Sequence, residues 1–270
     1  MRHLPLYFAV LGSSFRRYST YRLATAAGVF TNTVFGFIVA YTYIALWSQR
    51  PELGGYDQAQ ALTFVWLGQA LLAATALMGG GAQEELEARI RTGDVAVDLY
   101  RPVDLQAWWL AADLGRAAFQ LLGRGIVPML VGAFAFQLAL PTAPLTWAVF
   151  AVSVLLAVVV GYALRYLLAL TTFWLMDAAG LSTVGVLLSI FFSGMLLPLT
   201  VFPGTFGEVV RQLPWAAMLQ VPADVLLEER AGAGSLARAL GFQAGWALVL
   251  LAAGRALQSV ATRKVVVQGG

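Results

Sequence analysis

The sequence predicts an all-α polytopic membrane protein with six transmembrane helices, an N-terminal interfacial amphipathic helix and an outer re-entrant helical segment. Three observations predict it. Of 270 residues, 60% are hydrophobic and 11% charged, whereas soluble domains carry about 25% charged residues. The apolar residues form long continuous runs, and a bilayer core about 30 Å thick needs about 20 helical residues to cross it. Backbone groups in lipid must pair internally, which leaves helices or a closed barrel, and continuous runs select helices.

Residues 1–22 form the first element. Leu4, Phe8, Leu11, Phe15 and Tyr18 recur at three- and four-residue spacing, with Arg16 and Arg17 on the other face. That stripe fits a helix lying in the membrane surface; the alternative is an extension of the first span. The six-helix domain covers 23–258. Span one runs from about Leu23 to Trp47, longer than the roughly 7–15-residue apolar core of a signal peptide. Span two runs from Leu62 to Met78 and stops at Gly79, Gly80 and Gly81. Span three covers Gly125 to Leu140, before Pro141. It is thin, about 24 Å at 1.5 Å per residue, so Arg124 is expected to snorkel to the head groups; a contact within a substrate path is the alternative. Span four runs from about Leu145 to Met176, span five from Leu181 to Leu199, and span six from Ala239 to Leu257. Asp177 is read as capping a short turn between spans four and five.

The outer segment, 200–234, is too apolar for a free loop and too interrupted by Pro203, Pro214 and Pro222 for a span. Phe206, Val209, Val210 and Leu213 fit one helical face, and Trp215, Met218 and Leu219 begin another. Two short helices dipping into the outer leaflet fit this; an ordinary amphipathic surface loop is the alternative. Residues 259–270 form a tail.

Basic residues set the orientation. With the N-terminus inside, the inner segments hold Arg2, Arg16, Arg17, Arg22, Arg89, Arg91, Arg101, Arg255, Arg263 and Lys264, against Arg50, Arg211 and Arg230 outside. Ten against three places both termini in the cytoplasm of a multi-pass protein of the cell (inner or plasma) membrane. Arg116, Arg124, Arg165 and Arg238 fall within or at the ends of helices.

Charge is concentrated in Glu84 to Asp104, with nine charged residues in 21 positions. This island, within the loop 83–104, is then cytosolic. Glu84 to Arg91 reads as a short helix, and Gly93 as its left-handed terminator. Asp94 to Tyr100 alternates polar and apolar, with Val95, Val97 and Leu99 on one side. Asp104 reads as the N-cap of a second interfacial helix carrying Trp108 and Trp109. Ile90, Val95, Val97 and Leu99 are expected to anchor a docking partner within the charged rim; a solvated loop that only keeps topology is the alternative.

Several functions are excluded. There is no cysteine, and His3 is the only histidine, so thiol chemistry, histidine triads and histidine metal sites fall away; no metal site is expected. The Glu84–Glu85…Arg89 pattern resembles part of a membrane protease motif, but that chemistry needs further histidines. The single lysine, Lys264, lies between Arg263 and Val265 and does not end a P-loop. The chain is therefore not expected to be an enzyme or to hold a cofactor. The +3 net charge follows from membrane orientation and does not suggest nucleic acid.

The segment IRTGDVAVDLYRP, Ile90 to Pro102, resembles the loop after the second span in permease subunits of the ABC-2 exporter class of ABC transporters. The chain is similar to the small six-span permeases that work beside a separate ATPase. The resemblance implies that this loop couples to an ATP-binding-cassette ATPase through Glu84, Glu85, Glu87, Arg89, Ile90, Arg91, Asp94 and Arg101. ATP and Mg would belong to that partner, and a second permease, identical or related, would complete a transmembrane dimer. Export is implied by the resemblance alone. An amphipathic or apolar substrate is expected, because no fixed charge pair stands out at mid-span. Asn32, Phe35, Phe191, Phe192 and Met195 are the substrate-path candidates, although Asn32 fits an interhelical hydrogen bond better. Gly241 and Gly245 form a GxxxG pair in span six. A non-transporting membrane scaffold or sensor remains the alternative function, and an intramembrane enzyme a weaker one.

Overall fold

The computed structural model describes residues 4–175, 178–227 and 233–264, and among these there are twelve α-helices and no strand. In chain order they are α1 (Leu4–Ser19), α2 (Arg22–Gln49), α3 (Gln58–Leu71), α4 (Ala82–Thr92), α5 (Val95–Tyr100), α6 (Leu105–Gln120), α7 (Ile126–Ala135), α8 (Pro144–Leu170), α9 (Ala179–Phe192), α10 (Gly204–Gln212), α11 (Gln220–Leu227) and α12 (Ala233–Ala261). Among the described residues, four stretches are long and apolar enough to cross a membrane: Arg22–Gln49, Leu105–Ala135, Pro144–Phe173 and Gly234–Ala261. α9 is apolar but shorter.

α1 is a separate helix from α2, broken at Thr20 and Tyr21. Arg16 and Arg17 in its last turn suit the negative helix end. Its apolar stripe is divided. Leu11, Phe15 and Tyr18 are half-buried, while Leu4 and Phe8 are exposed. The half-buried part lies on α6, where the Phe15 and Phe119 rings meet edge-on at 5.6 Å and Ser14 Oγ donates to the Ala112 carbonyl at 2.6 Å. Gly115 permits this crossing, since a Cβ there would fall 2.1 Å from the Leu11 carbonyl oxygen.

α2 buries Gly28, Asn32, Gly36, Ala40 and Tyr43, a spacing of four and three residues that presents one face to the bundle. α3 lies at the centre and is buried from Ala61 to Leu71. Asp57 and Gln60 start it with a reciprocal capping box. Trp66, fully buried, sits between two glycines. A Cβ on Gly36 of α2 would come within 2.6 Å of its ring, and one on Gly132 of α7 within 2.3 Å.

Span two differs from the sequence expectation. The helix ends at Leu71 rather than Met78, and Leu72 to Met78 form turns, with Ala76 at φ 52. At 1.5 Å per residue, α3 alone is about 21 Å long. Irregular backbone at such depth persists only where protein satisfies it, and the groups that do so belong to the site described below. The second interfacial helix and span three are also not separate. α6 continues through a π-turn at Leu121–Gly125 into α7, as one apolar stretch from Leu105 to Ala135. Arg124 does not extend freely toward the surface: its guanidinium packs on Gly28 of α2, where a Cβ would lie 2.1 Å from Nε.

Phe136 to Ala143 leave the helix, and the Ala139 N–H donates to Thr63 Oγ1 at 2.8 Å. α8 starts with Pro144 at a position that needs no N–H. It packs along α12, where Gln243 Nε2 donates to the Ser153 and Ala217 carbonyls at 3.1 and 2.9 Å. α9 ends at Phe192, short of the expected Leu199. α10 buries Val210 but exposes Phe206 and Val209, so the expected shared face is split. A 3-10 turn at Pro214–Met218 and α11 then enter the core. The three prolines cap or open these helices rather than interrupt them, as Pro222 lies in the first turn of α11. Gln220 fixes the segment by accepting from the Leu199 N–H at 2.7 Å and donating to Tyr56 Oη at 2.9 Å. Asp177 lies outside the described residues. Gly241 and Gly245 have open space beside them, so no described helix packs on the GxxxG pair.

Candidate functional site: the charged loop and the arginine cluster beneath it

Gly79, Gly80 and Gly81 all have positive φ, at 81, 94 and 73°, and turn the chain from span two into α4. Gly93 closes α4 in the left-handed conformation, φ 82°, with its N–H on the Ile90 carbonyl at 3.2 Å. The segment after it is helical rather than extended. In α5, Val95 and Asp98 turn inward and Val97 is 56% exposed. The anchor expected for a partner therefore faces the chain's own core: Val95 packs with Leu86, Leu105, Trp109, Tyr162 and Tyr166, with Ile90 and Leu99 at the edge. The exposed apolar groups here are Val97 and Tyr100.

Several of the loop's charges are committed within the chain. Arg89 grips Asp98 with Nε at 2.5 Å and Nη2 at 2.9 Å, a planar two-point contact. Arg101 approaches Asp98 at 3.3 Å and lies over the Trp108 ring at 5.1 Å. Glu85 pairs with Arg17 of α1 at 2.8 Å. That hydrogen bond is the main reason the Arg17 guanidinium is held above its ordinary pKa. Glu87 accepts from Gln83 and from Ser182 of α9, at 2.8 and 2.9 Å. Glu84, Arg91 and Asp94 are exposed; Asp94 accepts from Thr92 Oγ1 at 2.8 Å. Asp104 caps α6 through the Ala107 N–H and pairs with Arg255 of α12. A cavity of about 430 Å³ opens among α1, α4, α5 and α6, bordered by Arg17, Glu85, Arg89, Asp98, Arg101 and Arg116.

Beneath α4 lies a cluster that sequence reasoning missed. Asp113 of α6, fully buried, binds Arg116 Nε at 2.7 Å and Arg165 Nη2 of α8 at 2.7 Å. Arg116 donates to the Ala73 and Ala74 carbonyls at 2.7 and 2.9 Å, and Arg165 to the Thr75 carbonyl at 2.6 Å. These are the carbonyls released where span two unwinds. The start of α4 lies against Asp113, since a Cβ on Gly81 would fall 3.2 Å from Asp113 Oδ1. Gly81 leaves room for this, since a Cβ there would lie 2.7 Å from Arg116 Cδ. The cluster thus brings α3, α4, α6 and α8 together and sets a fixed charge group inside the helical bundle. The available signal was Asp113 and Arg116 one helical turn apart in an apolar stretch.

The substrate-path candidates occupy different surroundings. Asn32 Nδ2 donates to the Gln69 carbonyl of α3 at 3.2 Å, an interhelical bond. Phe35 is 55% exposed on α2. Phe191 stacks near Phe202 at 5.5 Å and Phe192 near Trp215 at 5.8 Å. Met195 packs near Gly68 of α3.

Residues 30–269 match the family described as ABC-2 family transporter protein. The chain belongs to the ABC-2 transporter family. As an ABC-2 family member it is a multi-pass membrane subunit of an ABC transporter, of the kind that normally works with an ATP-binding partner. A search of characterised proteins gives no match to this chain.

Proposed function

We propose that this ABC-2 family chain is the permease of an exporter and is driven through α4 and α5 by a separate cytosolic ATPase. The observation that carries the reading is the close packing of the start of α4, at Gly81, on the Asp113 and Arg116 side chains, which sets an exposed charged helix against three membrane-embedded segments. A push on α4 therefore reaches α6 and α8 through close packing rather than a slack tether. Such a movement can drive transport only if the helices have two packings that bind substrate differently.

In this reading α3 with its turn and α9 complete six spans, both termini are cytoplasmic, and α10 and α11 form an outer re-entrant segment. Glu84, Arg91, Asp94 and Arg101 present charge to the ATPase. Glu85, Glu87, Arg89 and Ile90 shape the loop that carries it. A second permease completes the pathway, and an amphipathic molecule is exported.

The test is purification of the full chain from its native membrane. An ATP-hydrolysing subunit should co-purify with it. Recovery of the folded chain without one, under conditions that retain known permease–ATPase complexes, would contradict the reading. A cysteine placed at Thr92 should react with a membrane-impermeant reagent only from the cytoplasmic side.

A further inference from the structure

A second cavity, of about 240 Å³, lies between the unwound end of span two, α8 and α9. Its walls are mainly apolar, including Leu164, Leu168, Leu181 and Val184, and among the described residues Arg165 is the only charged one lining it. Two features make Arg165 more than a structural cap. Its guanidinium has five donor N–H groups; Nη1 and Nη2 are bonded to Thr75 and Asp113, while the buried Nε has no acceptor among the described residues. In addition, two arginines share one carboxylate, Asp113. The carbonyl end of α3 offsets only part of the surplus positive charge. A buried, under-compensated charge is costly unless a counter-charge arrives.

Gln83 and Ser182 also line the cavity, and both donate to Glu87. That carboxylate marks the α4 end as unfavourable for an anion, which leaves the Arg165 end. The volume falls below the roughly 300–1,000 Å³ typical of drug-sized sites, so it suits one hydrocarbon chain rather than two.

We infer that this cavity binds a single-chain amphipathic acid, with its acidic head at Arg165 and its chain along α8 and α9. That the bound acid is the exported molecule rests on the transport reading above. The binding itself does not, and its test uses the full chain alone, without an ATPase.

The chain would be placed in phosphatidylcholine nanodiscs and labelled with a diazirine-bearing fatty acid, and the cross-links mapped by peptide mass spectrometry. Labels should fall within residues 164–168 and 181–189. Decanoate should compete at a concentration at least about tenfold lower than decanol, the discrimination expected from one charge-assisted hydrogen bond. Decyltrimethylammonium should not compete. Val184→Trp fills the cavity without touching the ion cluster and should cut labelling at least about fivefold, a loss of about 1 kcal/mol in binding on the tenfold-per-1.4 scale. Arg165→Gln should abolish the preference for decanoate over decanol; if that variant does not fold, Val184→Trp still decides. Equal competition by decanol, unchanged labelling of Val184→Trp, or loss of labelling when phosphatidylglycerol replaces phosphatidylcholine would each overturn the assignment.

Discussion

Asp113 and Arg165 are 52 positions apart in sequence and meet at 2.7 Å in the interior, one on α6 and the other on α8. The same carboxylate holds Arg116, and the two arginines take the three carbonyls left open where span two unwinds. One acidic side chain thereby fixes a break in a membrane segment, directly beside the start of the charged loop.

Removing that carboxylate should be severe. Asp113→Ala leaves two buried guanidinium groups without their counter-ion, and breaking a buried pair costs about 3–5 kcal/mol. The melting temperature of the purified full chain should fall by roughly 10 °C. A fall of under about 2 °C would mean that the cluster does not hold the fold.

Gly80 and Gly81 provide a matched comparison. Both have positive φ, so Ala at either position is strained. Only at Gly81 does a Cβ meet a neighbour closely, 2.7 Å from Arg116 Cδ, whereas the nearest atom at Gly80 is 3.8 Å away. Gly81→Ala should therefore be less stable than Gly80→Ala by about 1–3 kcal/mol, the cost of overpacking. Equal melting temperatures would remove the contact from the account.

Two ion pairs in the loop region should differ in strength. Arg89–Asp98 has a carboxylate side chain only 5% exposed, while Arg17–Glu85 has side chains 60% and 40% exposed. Double-mutant cycles on thermal stability should give a coupling of about 1–3 kcal/mol for the first and under about 1 kcal/mol for the second. The reverse order would show that α5 is not held by Asp98.

Much of this architecture was legible in the sequence. The stripe of α1, the left-handed Gly93 and the Asp104 cap each follow from local chemistry, and so does the apolar stretch of α2. The break in span two was not legible, because Leu62 to Met78 carries neither a charge nor a proline. What permits the break is a pair of arginine side chains 42 to 90 positions away. The helix at Val95–Tyr100 was misread because six residues cannot separate a two-residue period from a 3.6-residue one. That difference moves Val97 out and Asp98 in. Of the loop's charges, only the contacts show which are consumed internally, as Arg89 is by Asp98, and which stay exposed, as Glu84 and Arg91 do.

The central claim is that the exposed charges of α4 and of the turn after it receive the ATPase. Its most direct test is the triple reversal Glu84→Arg, Arg91→Glu and Asp94→Arg, which avoids the buried cluster and the Arg89–Asp98 pair. Recovery of ATP-hydrolysing activity with the purified full chain should drop at least about tenfold, as expected for losing a few rim charge contacts, while the melting temperature stays within about 2 °C of the unaltered chain, as for surface substitutions. Undiminished recovery of that activity on the folded variant would contradict the account.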